Sequence, residues 1–214
     1  DGRERRRPRR MTDPVFLLGI VGGSASGKSR LAEALARHFA PHGAYVIPED
    51  DYYIDATAIP DFDADTFNFD EPAAKDHGLL AAHLGCLKAG ETVDAPLYDF
   101  KTHRRRAETV QRQPAPVILV EGLHLLASSD IACTLDLAVF VEACEQTRFA
   151  RRMARDVSER ARTPASVTLQ FNTIVQPMHE RHVEPQRVHA DIVIENMGKP
   201  DFDALARPVI DTVE

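Results

Sequence analysis

The chain carries few of the marks of a special environment. Its 214 residues hold only three cysteines, Cys86, Cys133 and Cys144, an odd number with no C-x-x-C spacing. That argues against a disulfide framework and against a cysteine zinc site, and it fits a reducing compartment. No apolar run approaches the roughly 20 residues of a membrane-spanning helix. Residues 1–10 lack the apolar stretch of a secretory signal peptide. Internal repeats and low-complexity segments are missing, and 11 Gly with 14 Pro are too few for a collagen-like or mucin-like chain. The expectation is a soluble, cytoplasmic protein of one ordinary domain, long enough to bury a real core.

Positive charge is scarce outside one place. Residues 1–10 contain six Arg against Asp1 and Glu4, so a tail of +4 precedes a body of −11 within a net charge of −7. An acidic body is a poor match to duplex nucleic acid, whose binding rests on phosphate neutralisation. No nucleic acid is expected as a partner. The tail, followed by an ordinary start at Met11, reads as a disordered or vector-derived extension rather than a nucleic-acid arm. Residues 11–214 read as a single folded unit.

What is present is an alternation of short apolar runs and amphipathic stretches. Val15–Val21 is a continuous apolar run bounded by glycines, the pattern of a strand buried on both faces. Lys28–Ala40 places Leu31, Leu35 and Phe39 on one helical face and stops at Pro41 and Gly43. Ala44–Ile47, Val117–Val120, Leu137–Val141 and Asp191–Ile194 read as further strands. Ala73–Lys88, Glu145–Ala161, Val167–His182 (broken near Pro177) and Phe202–Val213 read as helices. Pro48–Glu71 is irregular and Thr92–Gln113 extended and turn-rich. This order predicts an α/β fold, a mostly parallel sheet with helices on both faces.

Between the first strand and the first helix stands Gly22-Gly23-Ser24-Ala25-Ser26-Gly27-Lys28-Ser29, a G-x-x-x-x-G-K-S/T pattern in its required strand–loop–helix context. Small residues let successive backbone N–H groups wrap phosphates, and the helix N-terminus adds partial positive charge. Lys28 would reach the β- and γ-phosphates, and the Ser29 hydroxyl would ligate Mg²⁺. A P-loop NTPase-type sheet follows, but the motif alone does not separate a switch, a motor and a small-molecule kinase.

Five further segments resemble the uridine–cytidine kinase family, the P-loop nucleoside kinases related to phosphoribulokinase. They are Glu49-Asp50-Asp51-Tyr52-Tyr53, Asn68-Phe69-Asp70-Glu71-Pro72, Pro96 to His103 around Tyr98-Asp99-Phe100, Val120-Glu121-Gly122, and Arg155 to Arg162. With the phosphate loop they stand in the family's order over roughly residues 15–195. The resemblance implies transfer of the γ-phosphoryl of ATP or GTP to the 5′-hydroxyl of uridine or cytidine, with Mg²⁺ as cofactor and a homotetramer as the assembly. It implies Asp50 as general base, although three acids in a row leave the inward-pointing one undecided by pattern alone. It implies Glu121 with Ser29 at the metal, Asp70 on the ribose hydroxyls, and Tyr98 and Phe100 flanking the pyrimidine, with Tyr53 in the same pocket. His103 would stand at the base edge, where an imidazole tolerates either pyrimidine. Arg152, Arg155, Arg160 and Arg162 would form an Arg-rich helical lid, and Gln170 would reach the nucleoside.

The chain departs from the family pattern at Arg30, Asp51, Glu71 and Ala161, the last where the family has glycine. Asp70 is also open to a plainer role, as cap of the helix expected after Pro72. Two other functions remain open: a related P-loop kinase acting on a sugar phosphate or pantothenate, and a non-catalytic nucleotide-binding regulator.

Overall fold

The computed structural model describes residues 15–63, 67–198 and 200–214, so the Arg-rich tail lies outside the described residues. Five strands form one parallel sheet in the order β2–β5–β1–β6–β7. They are β1 (Phe16–Gly22), β2 (Ala44–Pro48), β5 (Val117–Gly122), β6 (Leu137–Glu142) and β7 (Ile192–Glu195). Every residue of β1 is buried, because β5 pairs along one side of it, β6 along the other, and both faces are covered. Phe16, Leu18 and Ile20 point to one face, where Leu31, Leu35 and Phe39 of helix α1 (Lys28–Phe39) meet Val209 and Val213 of α7 (Phe202–Val213). Leu17 and Val21 point to the other face, under Leu80, Leu84 and Leu87 of α2 (His77–Lys88) and Ile131 of the short α3 (Ser129–Ala132). Each such fully buried side chain contributes about 1.5–3 kcal/mol of hydrophobic free energy.

The extended 92–113 segment is a two-stranded antiparallel ribbon, β3 (Val93–Asp99) and β4 (Arg104–Arg112), with a register shift between Pro96 and Tyr98. Two expectations are corrected. The helix predicted to begin at Ala73 begins at His77, with Asp76 as its cap accepting from the Leu79 N–H at 3.0 Å. Residues Pro72–Ala74 form a separate 3₁₀ turn, and Lys75 is extended (φ −124°, ψ 144°). The helix predicted to break near Pro177 continues instead. After α4 (Glu145–Glu159) and α5 (Pro164–Gln170), a π-helical turn (Phe171–Val175) leads into α6 (Gln176–Met178), then a second π turn (His179–Val183) and a 3₁₀ turn (Glu184–His189). The wider winding, with the Gln176 N–H bonded to Phe171 O, accommodates a residue that has no N–H of its own.

Candidate active site

Phosphate-loop, acidic-turn and strand-end residues converge at the carboxyl ends of β1, β2 and β5, where open α/β sheets place their sites. The loop Gly22–Gly27 closes with Ser26 N–H bonded to Gly23 O at 3.0 Å. Ala25 (φ 62°) and Gly27 (φ 99°) have left-handed backbone, the kind of curl that forms anion nests. A Cβ at Gly27 would also collide with Asn196 Nδ2, so the close approach requires glycine. Asn196 donates to Ser26 O at 2.7 Å, and Arg151 reaches Ser26 O at 3.3 Å and Gly198 O at 2.8 Å. Arg151 therefore braces the loop from outside the cleft.

At the helix start, the Ser29 hydroxyl donates to Glu121 Oε1 at 3.0 Å, and Lys28 Nζ stands 3.9 Å from Glu121 Oε2. That Oε2 is buried and has no hydrogen-bond partner. Burial pushes the Glu121 carboxyl up, against the pull of the Lys28 ammonium. Among the described residues no cluster of three His, Cys, Asp or Glu could hold a metal by itself.

The three consecutive acids are sorted by the 3₁₀ turn Glu49–Tyr52 that follows β2. Glu49 turns inward. It is fully buried and accepts from Lys75 Nζ (2.7 Å), the Leu123 N–H (2.7 Å) and the His124 N–H (3.2 Å), with His77 Nε2 at 2.8 Å. Asp50 faces the cleft, its side chain 47% exposed, with Oδ1 accepting from Lys75 Nζ at 2.7 Å. Desolvation would raise the Asp50 carboxyl, but the Lys75 and Lys28 ammonium groups outweigh it and hold the carboxyl below its usual range. Asp51 makes no such contact; burial raises its carboxyl despite Arg112.

On the far side of Asp50 lies an aromatic wall. Tyr53 packs against Tyr98 (5.2 Å between ring centroids) and edge-on against Phe69 (5.7 Å), and its hydroxyl donates to Phe69 O at 3.2 Å. Tyr98 is buried, its hydroxyl lacks a partner, and burial with the nearby Asp55 and Asp50 pushes it up to about 12. Phe100 stands just past the end of β3, more exposed than buried, with its ring 5.2 Å from Tyr98. His103, in left-handed backbone (φ 56°), stacks on Phe69 at 4.9 Å. Asp70 is half-buried, and burial raises its carboxyl against the pull of Arg152. The 3₁₀ turn after it has Glu71 at its cap position without a side-chain bond, and α2 is capped by Asp76, so Asp70 is free of the capping role. A cavity of about 480 Å³ opens behind this wall, lined by Ile54, Ile59, Phe62, Phe67, Asn68 and Ala74 among others. Lys28, Asp50 and Glu121 do not line it, so the charged groups rather than that volume mark the site.

The arginines of α4 divide by partner. Arg148 is buried and donates to Ala143 O and Gln176 Oε1, which makes it structural. Arg152 reaches the phosphate loop, donating to Ser24 Oγ at 2.7 Å and to Gln170 Oε1 at 2.9 Å. Arg162 donates to the same Gln170 oxygen. Arg155 and Arg160 stand 2.8 and 3.6 Å from Asp156 Oδ1, while Arg152 Nε lies 3.3 Å from Oδ2. Ala161 follows with φ 53°, the left-handed helix end that glycine adopts without strain.

Several residues that organise this site escaped sequence reasoning. Asp156 stands inside the Arg155 to Arg162 segment but carries no expected role in the sequence, yet it is fully buried among three arginines. Lys75 was placed in a helix. His124, fully buried, donates from Nε2 to Asp70 O at 3.0 Å if that nitrogen is protonated, and burial drives it down to about 4. A charged or basic residue inside an apolar or motif-dense stretch was the available signal for Lys75 and His124.

Comparison with known proteins gives a consistent result. The model of the Phosphoribulokinase / Uridine kinase family matches residues 17–203. A uridine kinase of Brevibacillus brevis is 39% identical over 188 residues, spanning 88% of this chain and 87% of that protein. A uridine kinase of Listeria welshimeri is 37% identical over 189 residues, spanning 88% and 90%. Phosphoribulokinase from Rhodobacter spheroides shares the fold at a TM-score of 0.62 with 16% identity, covering 90% of this chain and 74% of that one.

Proposed function

Because the chain belongs to the phosphoribulokinase/uridine kinase family of P-loop kinases, we propose that it transfers the γ-phosphoryl of ATP to the 5′-hydroxyl of uridine or cytidine. The observation that carries this reading is the position of Asp50, between the Lys28–Ser29–Glu121 group on one side and the Tyr53–Tyr98 wall with Asp70 on the other. A phosphate donor and a nucleoside acceptor each have a matching half of the cleft.

Asp50 is the group that takes the 5′-hydroxyl proton, and its depressed carboxyl keeps it in the proton-accepting form at neutral pH. Lys28 meets the charge shared by the β- and γ-phosphates. The partnerless Glu121 Oε2 beside the Ser29 hydroxyl fits a Mg²⁺ held jointly with phosphate oxygens and water. That ion would neutralise phosphate charge when bound. Arg152 and Arg162, joined through Gln170, close over the triphosphate side, where Arg152 already bonds the Ser24 hydroxyl of the phosphate loop. Arg155 and Arg160 supply charge to the transferring phosphoryl.

Asp70 accepts from the ribose hydroxyls, which would leave a buried acceptor unpaired with a deoxyribose. Tyr98 and Phe100 flank the base, with Tyr53 behind them and His103 at the edge. Gln170 has its amide nitrogen left for the nucleoside. A cytoplasmic location and a homotetramer belong to the same reading. Product analysis with ATP or GTP, Mg²⁺ and a panel of uridine, cytidine, their 2′-deoxy forms and ribulose 5-phosphate tests it. UMP and CMP are expected, and phosphorylation of the sugar phosphate alone would overturn it.

A further inference from the structure

Lys75 is a buried charged group beside the cleft that the reaction described above does not use. Its backbone is pinned opposite the acidic turn: Tyr53 and Lys75 form an antiparallel bridge, the Asp76 N–H bonds Tyr52 O at 2.8 Å, and the Ile54 N–H bonds Ala74 O at 3.0 Å. The extended conformation at Lys75 sends the side chain inward, where it has no exposure at all. An ammonium has three donors. One goes to Glu49 Oε2 and one to Asp50 Oδ1, both at 2.7 Å, and the Tyr53 ring faces the nitrogen at 4.9 Å. Two of the three donors are thus held by carboxylates, and the buried nitrogen is walled from the cleft by its zero exposure.

A buried ion pair is weak evidence for stability, since apolar residues of similar volume often do as well. A buried lysine shared by two carboxylates, one inward and one facing the cleft, therefore points to a task other than holding the fold. Glu49 and Asp50 are neighbours in sequence, and without an intervening cation they would compete for a proton. We infer that Lys75 is a positioning residue for the catalytic base: anchored by Glu49, its ammonium clamps Asp50 Oδ1 and presents Oδ2 to the acceptor hydroxyl. This rests on the assignment of Asp50 as the base of a hydroxyl-phosphorylating kinase.

The same clamp sets the charge state of Asp50. The other charged groups facing Asp50 are Lys28 from α1, Glu121 from β5, Asp70 from the loop before α2, Arg160 from the end of α4, and Glu49 and Asp51 on its own turn. Tyr53 and Tyr98 face it from the aromatic wall. Lys75 is the one of these that bonds the carboxylate directly.

The test uses Lys75→Met and, because that variant strands the buried Glu49 charge, the double variant Glu49→Gln/Lys75→Met. Both are measured as the full chain, with circular dichroism to establish folding. Steady-state kinetics with uridine and ATP should show kcat lowered roughly 10–100-fold, the scale of a misplaced catalytic group. KM for uridine and for ATP should not change, since Lys75 touches neither. In the metal-free protein, ¹³C-carboxyl titration, with Asp50 assigned by its loss in Asp50→Asn, should show the Asp50 midpoint move to higher pH in the double variant. A folded double variant with wild-type kcat, or with an unmoved Asp50 midpoint, overturns the clamp. If wild-type protein phosphorylates no nucleoside while the midpoint still moves, the substrate reading fails and the clamp on Asp50 stands.

Discussion

Asp156 gives the sharpest quantitative expectation. Its carboxylate is fully buried and stands within 2.8 to 3.6 Å of Arg152, Arg155 and Arg160. The three partners differ in exposure, at 9%, 32% and 52% of their side chains. Arg160 is mostly solvated, so losing its partner costs little, in the range of about 0–1 kcal/mol for an exposed pair. Arg152 is nearly buried, and stranding a buried charge costs about 3–5 kcal/mol. Arg152 keeps Ser24 Oγ and Gln170 Oε1 as acceptors, which places Asp156→Ala at the low end, about 3 kcal/mol. For a chain of this size that is a fall of roughly 6–12 °C in Tm. Turnover should fall as well, because the arginines proposed to meet the phosphates lose their common anchor. Asp156→Asn keeps an acceptor and should lose less in both. The measurements are Tm by scanning calorimetry and kcat on the same preparations at a temperature where both variants remain folded. A folded Asp156→Ala with wild-type Tm and kcat would refute the view that this carboxylate organises the lid.

Other expectations follow from single features of the site. Asp50→Asn should keep uridine and ATP binding while lowering kcat by roughly two to four decades, the usual worth of a general base; calorimetric titration alongside kinetics checks it, and near-normal turnover would remove Asp50 from that role. Ala161→Gly should raise Tm by roughly 1–4 °C, because relief of about 1–2 kcal/mol of left-handed strain outweighs the entropy that glycine adds to the unfolded chain. His124 is held down to about 4 by burial, so the unfolded chain takes up a proton first as pH falls below about 6.5. Stability should therefore be complete above pH 6.5 and decline by roughly 3 kcal/mol between there and pH 4 on account of this residue, and urea unfolding of His124→Leu should show a flatter decline over that window. His103→Tyr should change the uridine-to-cytidine ratio of kcat/KM by roughly one to two decades; an unchanged ratio would place His103 outside the base pocket.

The phosphate loop was legible because its chemistry is local. A buried strand, a Gly/Ser turn and an amphipathic helix are adjacent in the chain, and each is specified by its own residues. Asp50 was legible only through the family's pattern, since a run of three acids has no internal feature that selects one. The sorting of Glu49 inward and Asp50 outward depends on Lys75, 25 residues later, and on the backbone N–H groups of Leu123 and His124. The start of α2 was misplaced because Ala73 and Ala74 suit a helix, whereas the Asp76 cap and the Tyr53–Lys75 bridge decide otherwise.

Local periodicity and turn chemistry by themselves determined the five strands of the parallel sheet, most helices, the α/β class and the phosphate cradle, because period, caps and glycine positions act over a few residues. Tertiary structure alone decided which charged groups meet. Asp156, Lys75 and His124 look like ordinary surface or helix residues in the chain. Each became part of the site only when burial removed water and left a partner as the means of satisfying its charge or hydrogen bond.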